Sequence, residues 1–341
     1  MTRLRQILTA RSAGYRMPAE WAAHERCWMQ WPYRDGFVWP DVAKTQASYA
    51  RVAQTIRRFE PVTMIVRAED LANARALCGD GIDYLVMPLD DSWARDSGPN
   101  FVKLGDRLAA SLFHFNAWGQ KYEEYRNDAA VGHRIAETLG IPTFTSNVFM
   151  EGGGICVDGE GTILTSETCI LNPNRNPGLT KAEAEAILCE ALGGETVIWV
   201  PGDPSDHETD GHIDGLACFA RPGVVLCEVG CPDFPDRDND LKENRRALEL
   251  ARDAKGRPLE IIDIEEAYDA ESAGERFCRS FINFYIANGG IVFPQYGTAT
   301  DKTAQSTIRA AFPDHEIATV DINDIAIGGG GIHCITQQQP M

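Results

Sequence analysis

The chain has 341 residues, 44% of them hydrophobic, which is ample for a buried core and characteristic of an ordinary folded protein. Its 50 acidic and 32 basic residues leave a formal net charge of −18, which disfavours a nucleic-acid surface and sets up a potential that draws in small cations. No apolar run approaches the roughly 18 residues that cross a bilayer, and ten scattered cysteines with no CxxC and no secretory leader read as reduced thiols of a cytoplasmic protein.

Residues 1–15, with Arg3, Arg5 and Arg11, read as an extension of a single domain spanning 1–341, since no linker, low-complexity tract or composition shift divides the chain. Tyr49, Val52, Ala53, Ile56 and Phe59 share one face of a helix over 41–60, and the β-branched run 62–66 follows Pro61 as a strand. The same order then recurs five times: helix 68–78 with strand 82–87, 127–139 with 143–149, 181–192 with 196–200, 239–253 with 259–264, and 301–311 with 316–321. Between the units lie strand pairs joined by glycine turns, 155–158 with 162–166 and 216–220 with 224–228. This grammar predicts repeated α/β modules.

Polar motifs follow these strands, where loops usually carry function. After 82–87 comes Asp90-Asp91-Ser92-Trp93-Ala94-Arg95-Asp96-Ser97-Gly98-Pro99, after 143–149 comes Glu151-Gly152-Gly153-Gly154, and after 196–200 comes Asp206-His207-Glu208-Thr209-Asp210-Gly211-His212-Ile213-Asp214-Gly215. The last strand leads to Gly328-Gly329-Gly330-Gly331-Ile332-His333-Cys334. A glycine run lets backbone approach a ligand closely, so a thiol just beyond it is presented as a nucleophile instead of packed as a small hydrophobe.

Brought together about a common axis, these residues have a coherent chemistry. Asp96 and Asp214 clamp a guanidinium, whose fork of donors matches carboxylates and whose charge keeps both ionised. His212 gives a proton to a departing amine and takes one from water, and Glu151 orients that histidine. Simpler accounts stand beside this one. Asp96 pairs with its neighbour Arg95, Glu151 is solvated at a turn, and His212 and Asp214, two apart, form a hydrogen-bonded pair on one face of a strand. His333, next to Cys334, points the other way in an extended chain and supports the site from behind. His207, Asp210, His212 and Asp214 also admit a metal centre, although HxxxxHxD is not the HExxH helix and Gly211 and Gly215 argue against any helix there.

Taken in order, Met17-Pro18-Ala19-Glu20-Trp21, the Asp91–Pro99 motif, Asn116-Ala117-Trp118-Gly119, Glu151–Gly154, Thr209–Gly215, Asn283-Phe284-Tyr285-Ile286-Ala287-Asn288-Gly289-Gly290 and Ile332-His333-Cys334-Ile335-Thr336-Gln337-Gln338 resemble the agmatine deiminases, close to the bacterial peptidylarginine deiminases. The resemblance runs from about residue 15 onward. It implies a pentein fold, a five-bladed α/β propeller with pseudo-fivefold symmetry, assembled as a homodimer or higher homo-oligomer. It implies Cys334 as nucleophile, His212 as acid and base, Glu151 as its partner, Asp96 and Asp214 as the clamp, Trp93 over the substrate's alkyl arm and Glu208 near its distal ammonium. No cofactor or metal is implied, and the partner is a small cationic guanidine, with no nucleic acid and no membrane. Agmatine would be converted to N-carbamoylputrescine and ammonia, a step of polyamine biosynthesis. Two positions depart from the family: Gly331 stands where asparagine is usual, and Gly154 where a hydroxyl is frequent. The alternatives are a deiminase of arginine, peptidyl arginine or a longer guanidinoamine, an amidinotransferase, a metal-dependent ureohydrolase, and a non-enzymatic binding module.

Overall fold

The computed structural model describes residues 8–34, 38–270 and 276–341; Arg3 and Arg5 of the extension lie outside them. Sixteen strands are described: β1 His24–Gln30, β2 Val62–Val66, β3 Ile82–Val86, β4 Asn100–Leu104, β5 Arg107–His114, β6 Thr143–Phe149, β7 Ile155–Val157, β8 Thr162–Ser166, β9 Thr196–Val200, β10 Ala217–Arg221, β11 Val224–Val229, β12 Glu260–Glu265, β13 Tyr285–Ala287, β14 Gly290–Gln295, β15 Glu316–Asp321 and β16 Thr336–Pro340. They form five separate sheets in a mixed α/β fold.

Four sheets repeat one pattern. An antiparallel hairpin is followed by a helix and a strand parallel to the hairpin's second strand, giving β4-β5-β6, β7-β8-β9, β10-β11-β12 and β13-β14-β15. Antiparallel neighbours need only a tight turn, such as those at Gly223 and Gly289 with φ of 76° each, whereas parallel neighbours need a crossover, which is why every third strand follows a helix. The fifth sheet builds the same unit from the two ends of the chain: β16 pairs antiparallel with β1, and β1 lies parallel to β2 across helix Val42–Ile56. β3 then adds a fourth strand, so the predicted unit 68–78 with 82–87 extends this same sheet and makes none of its own.

The helices bury the faces their periodicity marks. Helix Val42–Ile56 covers Tyr49, Val52, Ala53 and Ile56, and Asp41 caps it by accepting from the Lys44 N–H. Helix Lys181–Leu192 matches its expected bounds, with Thr180 and Glu183 forming a capping box. The helix expected over 239–253 is Pro235–Leu250, because Pro235 fits the first turn and Asp236 and Asp238 favour its positive end. Residues 9–15 dock on helix Lys181–Leu192 with Ala10 and Tyr15 buried. No helix among the described residues is long and apolar enough to cross a membrane.

Candidate active site

Each connection from one sheet to the next carries a polar side chain toward one buried place. The connection from β3 to β4 brings Asp96 on the helical turn Ala94–Ser97, and that from β6 to β7 brings Glu151 ahead of the turn Gly152–Gly154. The one from β9 to β10 supplies His212 and Asp214, from β12 to β13 Asn283, and from β15 to β16 Cys334. All six are at least nine-tenths buried.

The close approach depends on glycine. A Cβ on Gly153 would sit 2.5 Å from His212 Nδ1, 2.9 Å from Asp96 Oδ1 and 3.0 Å from Asp214 Oδ2, so the three groups converge on the space over this residue. The Gly153 N–H donates to Asp96 Oδ1 at 3.1 Å, and the Trp118 indole N–H donates to Oδ2 at 3.0 Å. A Cβ on Gly330 would lie 2.5 Å from the Trp93 ring and 3.0 Å from Cys334 Cβ, so the glycine run sets the thiol against that ring.

His212 Nε2 lies 3.1 Å from Glu151 Oε2, while Nδ1 has no hydrogen-bond partner among the described residues and faces Asp96 Oδ1 at 3.8 Å. Burial opposes a charged imidazole, yet Asp96, the Cys169 thiol and Glu151 together hold its pKa well above the usual histidine range. Glu151 is fully buried, which excludes the solvated-turn account, and the Arg175 Nε–H spans its two oxygens at 3.0 and 2.9 Å. Despite burial, Arg175 and His212 keep that carboxyl below its ordinary value.

The two aspartates differ. Burial, reinforced by Asp214 and Glu151 against the opposing pull of His212, raises Asp96 to about 6. Asp214 stays low despite burial because His333 Nδ1 lies 2.8 Å from its Oδ2. Behind it, His333 Nε2 meets Glu20 at 3.0 Å and Glu20 meets Arg95 at 3.5 Å. Arg95 therefore serves Glu20, not Asp96, and His333 supports the site through Asp214. His212 and Asp214 do not form the pair expected on a strand, because 213–215 is a 3-10 turn that sends them to different partners.

The Cys334 thiol lies 3.5 Å from Asp214 Oδ2 and receives the Asn283 Nδ2–H at 3.1 Å. Burial and then Asp214 and Asp96 push its pKa well above the ordinary thiol value. A narrow cleft runs from Cys334 past Trp93, Trp118 and Tyr122 to Glu208, which accepts from the Tyr122 hydroxyl at 2.8 Å and pairs with Arg276 Nε at 2.9 Å. The cleft is continuous with a wider cavity of about 900 Å³, with which it shares Cys334, Glu208, Gly329 and Gly330.

The HxxxxHxD residues do not meet as a ligand set: Asp210 pairs with Arg175 and Lys121, and Asp214 with His333. Among the described residues, the three groups whose ligand atoms fall within 4.8 Å of one another are Glu151, Cys169 and His212, and Arg175 already holds both oxygens of Glu151. Of the two departures, a side chain at Gly154 would meet Met150 at 2.6 Å and Cys169 at 3.2 Å, so that position faces packing, whereas one at Gly331 would meet Asn283.

Residues 16–340 match the Porphyromonas-type peptidyl-arginine deiminase family. The chain belongs to this family. Among members of the deiminase family it is 42% identical over 332 residues to the putative agmatine deiminase of Legionella pneumophila, covering 96% of this chain and 95% of that one. It is likewise 42% identical over 363 residues to the agmatine deiminase of Stutzerimonas stutzeri, covering 97% of each. The solved agmatine deiminase of Enterococcus faecalis superposes with a TM-score of 0.93 at 32% identity, covering 100% of this chain and 99% of that one.

Sequence reasoning missed Arg175, which fixes Glu151, and Asn283, which touches the sulfur. Arg175 carried no pattern. Asn283 opens the Asn283–Gly290 motif just ahead of a hairpin strand, as Asp96 lies just ahead of another, and that placement was a usable signal.

Proposed function

We propose that this protein is a hydrolase that deiminates agmatine to N-carbamoylputrescine and ammonia, with the five connections forming one catalytic unit. The observation that carries the reading is the convergence over Gly153 of His212 Nδ1, Asp96 and Asp214, with the Cys334 sulfur 3.5 Å from the last. The five sheets read in the same terms as blades of a pentein propeller. The setting is a cytoplasmic homo-oligomer serving polyamine formation.

Asp96 and Asp214 accept the guanidinium N–H groups, and the incoming cation favours ionisation of both carboxylates and of the thiol. The Cys334 thiolate adds to the guanidinium carbon, forming a C–S bond. His212 Nδ1 then protonates one amino group, which leaves as ammonia and yields a thiouronium bound to the sulfur. Glu151, held by Arg175, stabilises each charged state of the imidazole. His212 next deprotonates a water that adds to the same carbon; the C–S bond breaks, releasing the ureido product and restoring the thiolate. Trp93 flanks the alkyl arm and Glu208 meets the distal ammonium at the far end of the cleft. The 900 Å³ cavity into which the cleft opens favours a second reading, a bulkier guanidine such as a longer guanidinoamine or peptidyl arginine.

A ureido assay across agmatine, arginine, a peptidyl arginine and longer guanidinoamines decides between these. Agmatine is expected to give the highest kcat/KM, Cys334→Ala no product, and EDTA no change in rate. Preference for a peptide, or urea as product, would sink the proposal.

A further inference from the structure

Four sheet connections deliver residues with assigned chemistry, and the fifth, from β12 to β13, delivers Asn283 to the sulfur itself. Its orientation is fixed by its neighbours. Oδ1 accepts from the Cys334 backbone N–H at 3.2 Å, so Nδ2 is the atom turned toward Sγ at 3.1 Å and toward the Asp214 carbonyl at 3.3 Å. The Asn283 carbonyl accepts the N–H groups of Ile332 and His333 at 3.1 and 3.2 Å. One residue thus holds three successive residues of the nucleophile's turn and donates to the reacting atom.

The surroundings explain why a donor is needed. Asp214 and Asp96 face the buried thiol, and burial together with their charge disfavours a negative sulfur. The opposing groups are the Asn283 amide and the backbone N–H of Gly331. Gly331 also makes the room: a Cβ there would lie 2.7 Å from Asn283 Oδ1 and 3.0 Å from its Cβ.

We propose that Asn283 is a further catalytic residue, whose side-chain N–H stabilises the Cys334 sulfur as the attacking thiolate, and that the absence of a side chain at Gly331 is what seats it there. A hydrogen bond to a charged group contributes roughly 1.5–3 kcal/mol, and its loss corresponds to about a tenfold to hundredfold fall in thiolate population at fixed pH. The inference rests on the deiminase reading for its meaning but not for its test.

Iodoacetamide alkylation of the substrate-free enzyme is followed across pH by mass spectrometry of the peptide carrying Cys334, alongside kcat and KM for agmatine. In Asn283→Ala the alkylation midpoint is expected to move up by about one pH unit or more, and kcat to fall at least tenfold with KM within about twofold. Asn283→Asp keeps the shape and the acceptor to the Cys334 N–H but replaces the donor with a carboxylate, and is expected to shift the midpoint further. Gly331→Ala should reproduce part of the loss in the otherwise native protein and add little to Asn283→Ala. A folded Asn283→Asp protein with the native alkylation profile overturns the proposal, as does an equal cost of Gly331→Ala in both backgrounds. If the native protein makes no ureido product from agmatine, the deiminase reading fails while the alkylation profiles still decide the role of Asn283.

Discussion

Asp96 and Asp214 look equivalent in sequence, yet their surroundings give them opposite effects on stability. Asp96 has a folded pKa of about 6 against an ordinary 3.8, so the folded state holds its proton more tightly. Its favourable contribution is complete below the unfolded value and is lost between pH 3.8 and about 6, leaving a cost of about 3 kcal/mol at neutral pH. Asp214 has a depressed folded pKa from His333, so it stabilises above the unfolded value and loses that effect as pH falls. Asp96→Asn should therefore stabilise the fold by about 1–2 kcal/mol once the lost Trp118 bond is deducted, and so raise Tm, whereas Asp214→Asn should lower it. Both should abolish turnover, and native kcat/KM should fall as pH drops through about 6, where Asp96 takes up its proton. Calorimetry of the two variants at pH 7 tests the contrast; Tm changes of the same sign would refute it. The meeting of Asp96, Glu151, His212, Asp214 and Cys334 was legible because ionisable side chains and a thiol recurring just after successive strands make an unusual pattern. The asymmetry was not, because it comes from His333, 119 residues from Asp214 and oriented by a turn, where an extended chain would have aimed it away.

At the level of elements, local signals were legible and distant ones were not. Helix Lys181–Leu192 begins and ends where its capping box and Gly193 place it, and the hairpins of β7 with β8 and β10 with β11 follow their glycine turns. Nothing within 24–30 announces a partner at 336–340, because that pairing closes over some 310 residues and leaves no local pattern. The same limit hides what two connections do to each other at the end of the cleft. Glu208, between β9 and β10, is paired with Arg276, between β12 and β13. Under the agmatine reading this guanidinium sits where the substrate ammonium must bind and competes with it. The pair is partly exposed, so its contribution is at most about 1 kcal/mol. Arg276→Gln should lower KM for agmatine about twofold to fivefold with kcat unchanged, and leave KM for butylguanidine, which has no ammonium, where it was. Steady-state kinetics on both substrates check this; a rise in the agmatine KM would mean that Arg276 shapes Glu208 for the substrate.

Across the whole molecule, five sheets with one pattern place five connections around a common site, and each connection adds its own side chains: Asp96, Glu151, His212 with Asp214, Asn283, and Cys334. This division explains why the site was readable from sequence before its fold was. Each connection is a short polar motif, whereas the axis they share is a property of packing that no single motif encodes. The electrostatic consequence also belongs to the whole chain. The net charge of −18 surrounds a site whose buried carboxylates line a narrow cleft, a geometry that focuses field on an entering cation. Agmatine carries two positive charges and butylguanidine one, so long-range attraction should favour agmatine in the encounter step and be screened by salt. Raising monovalent salt from about 10 to about 200 mM shortens the Debye length from roughly 30 Å to below 10 Å. Over that range kcat/KM for agmatine is expected to fall several-fold, that for butylguanidine to fall less, and kcat to stay constant for both, because the bound complex is buried and little screened. Equal salt dependence for the two substrates would place the discrimination in the short-range contact with Glu208 and not in the field of the molecule.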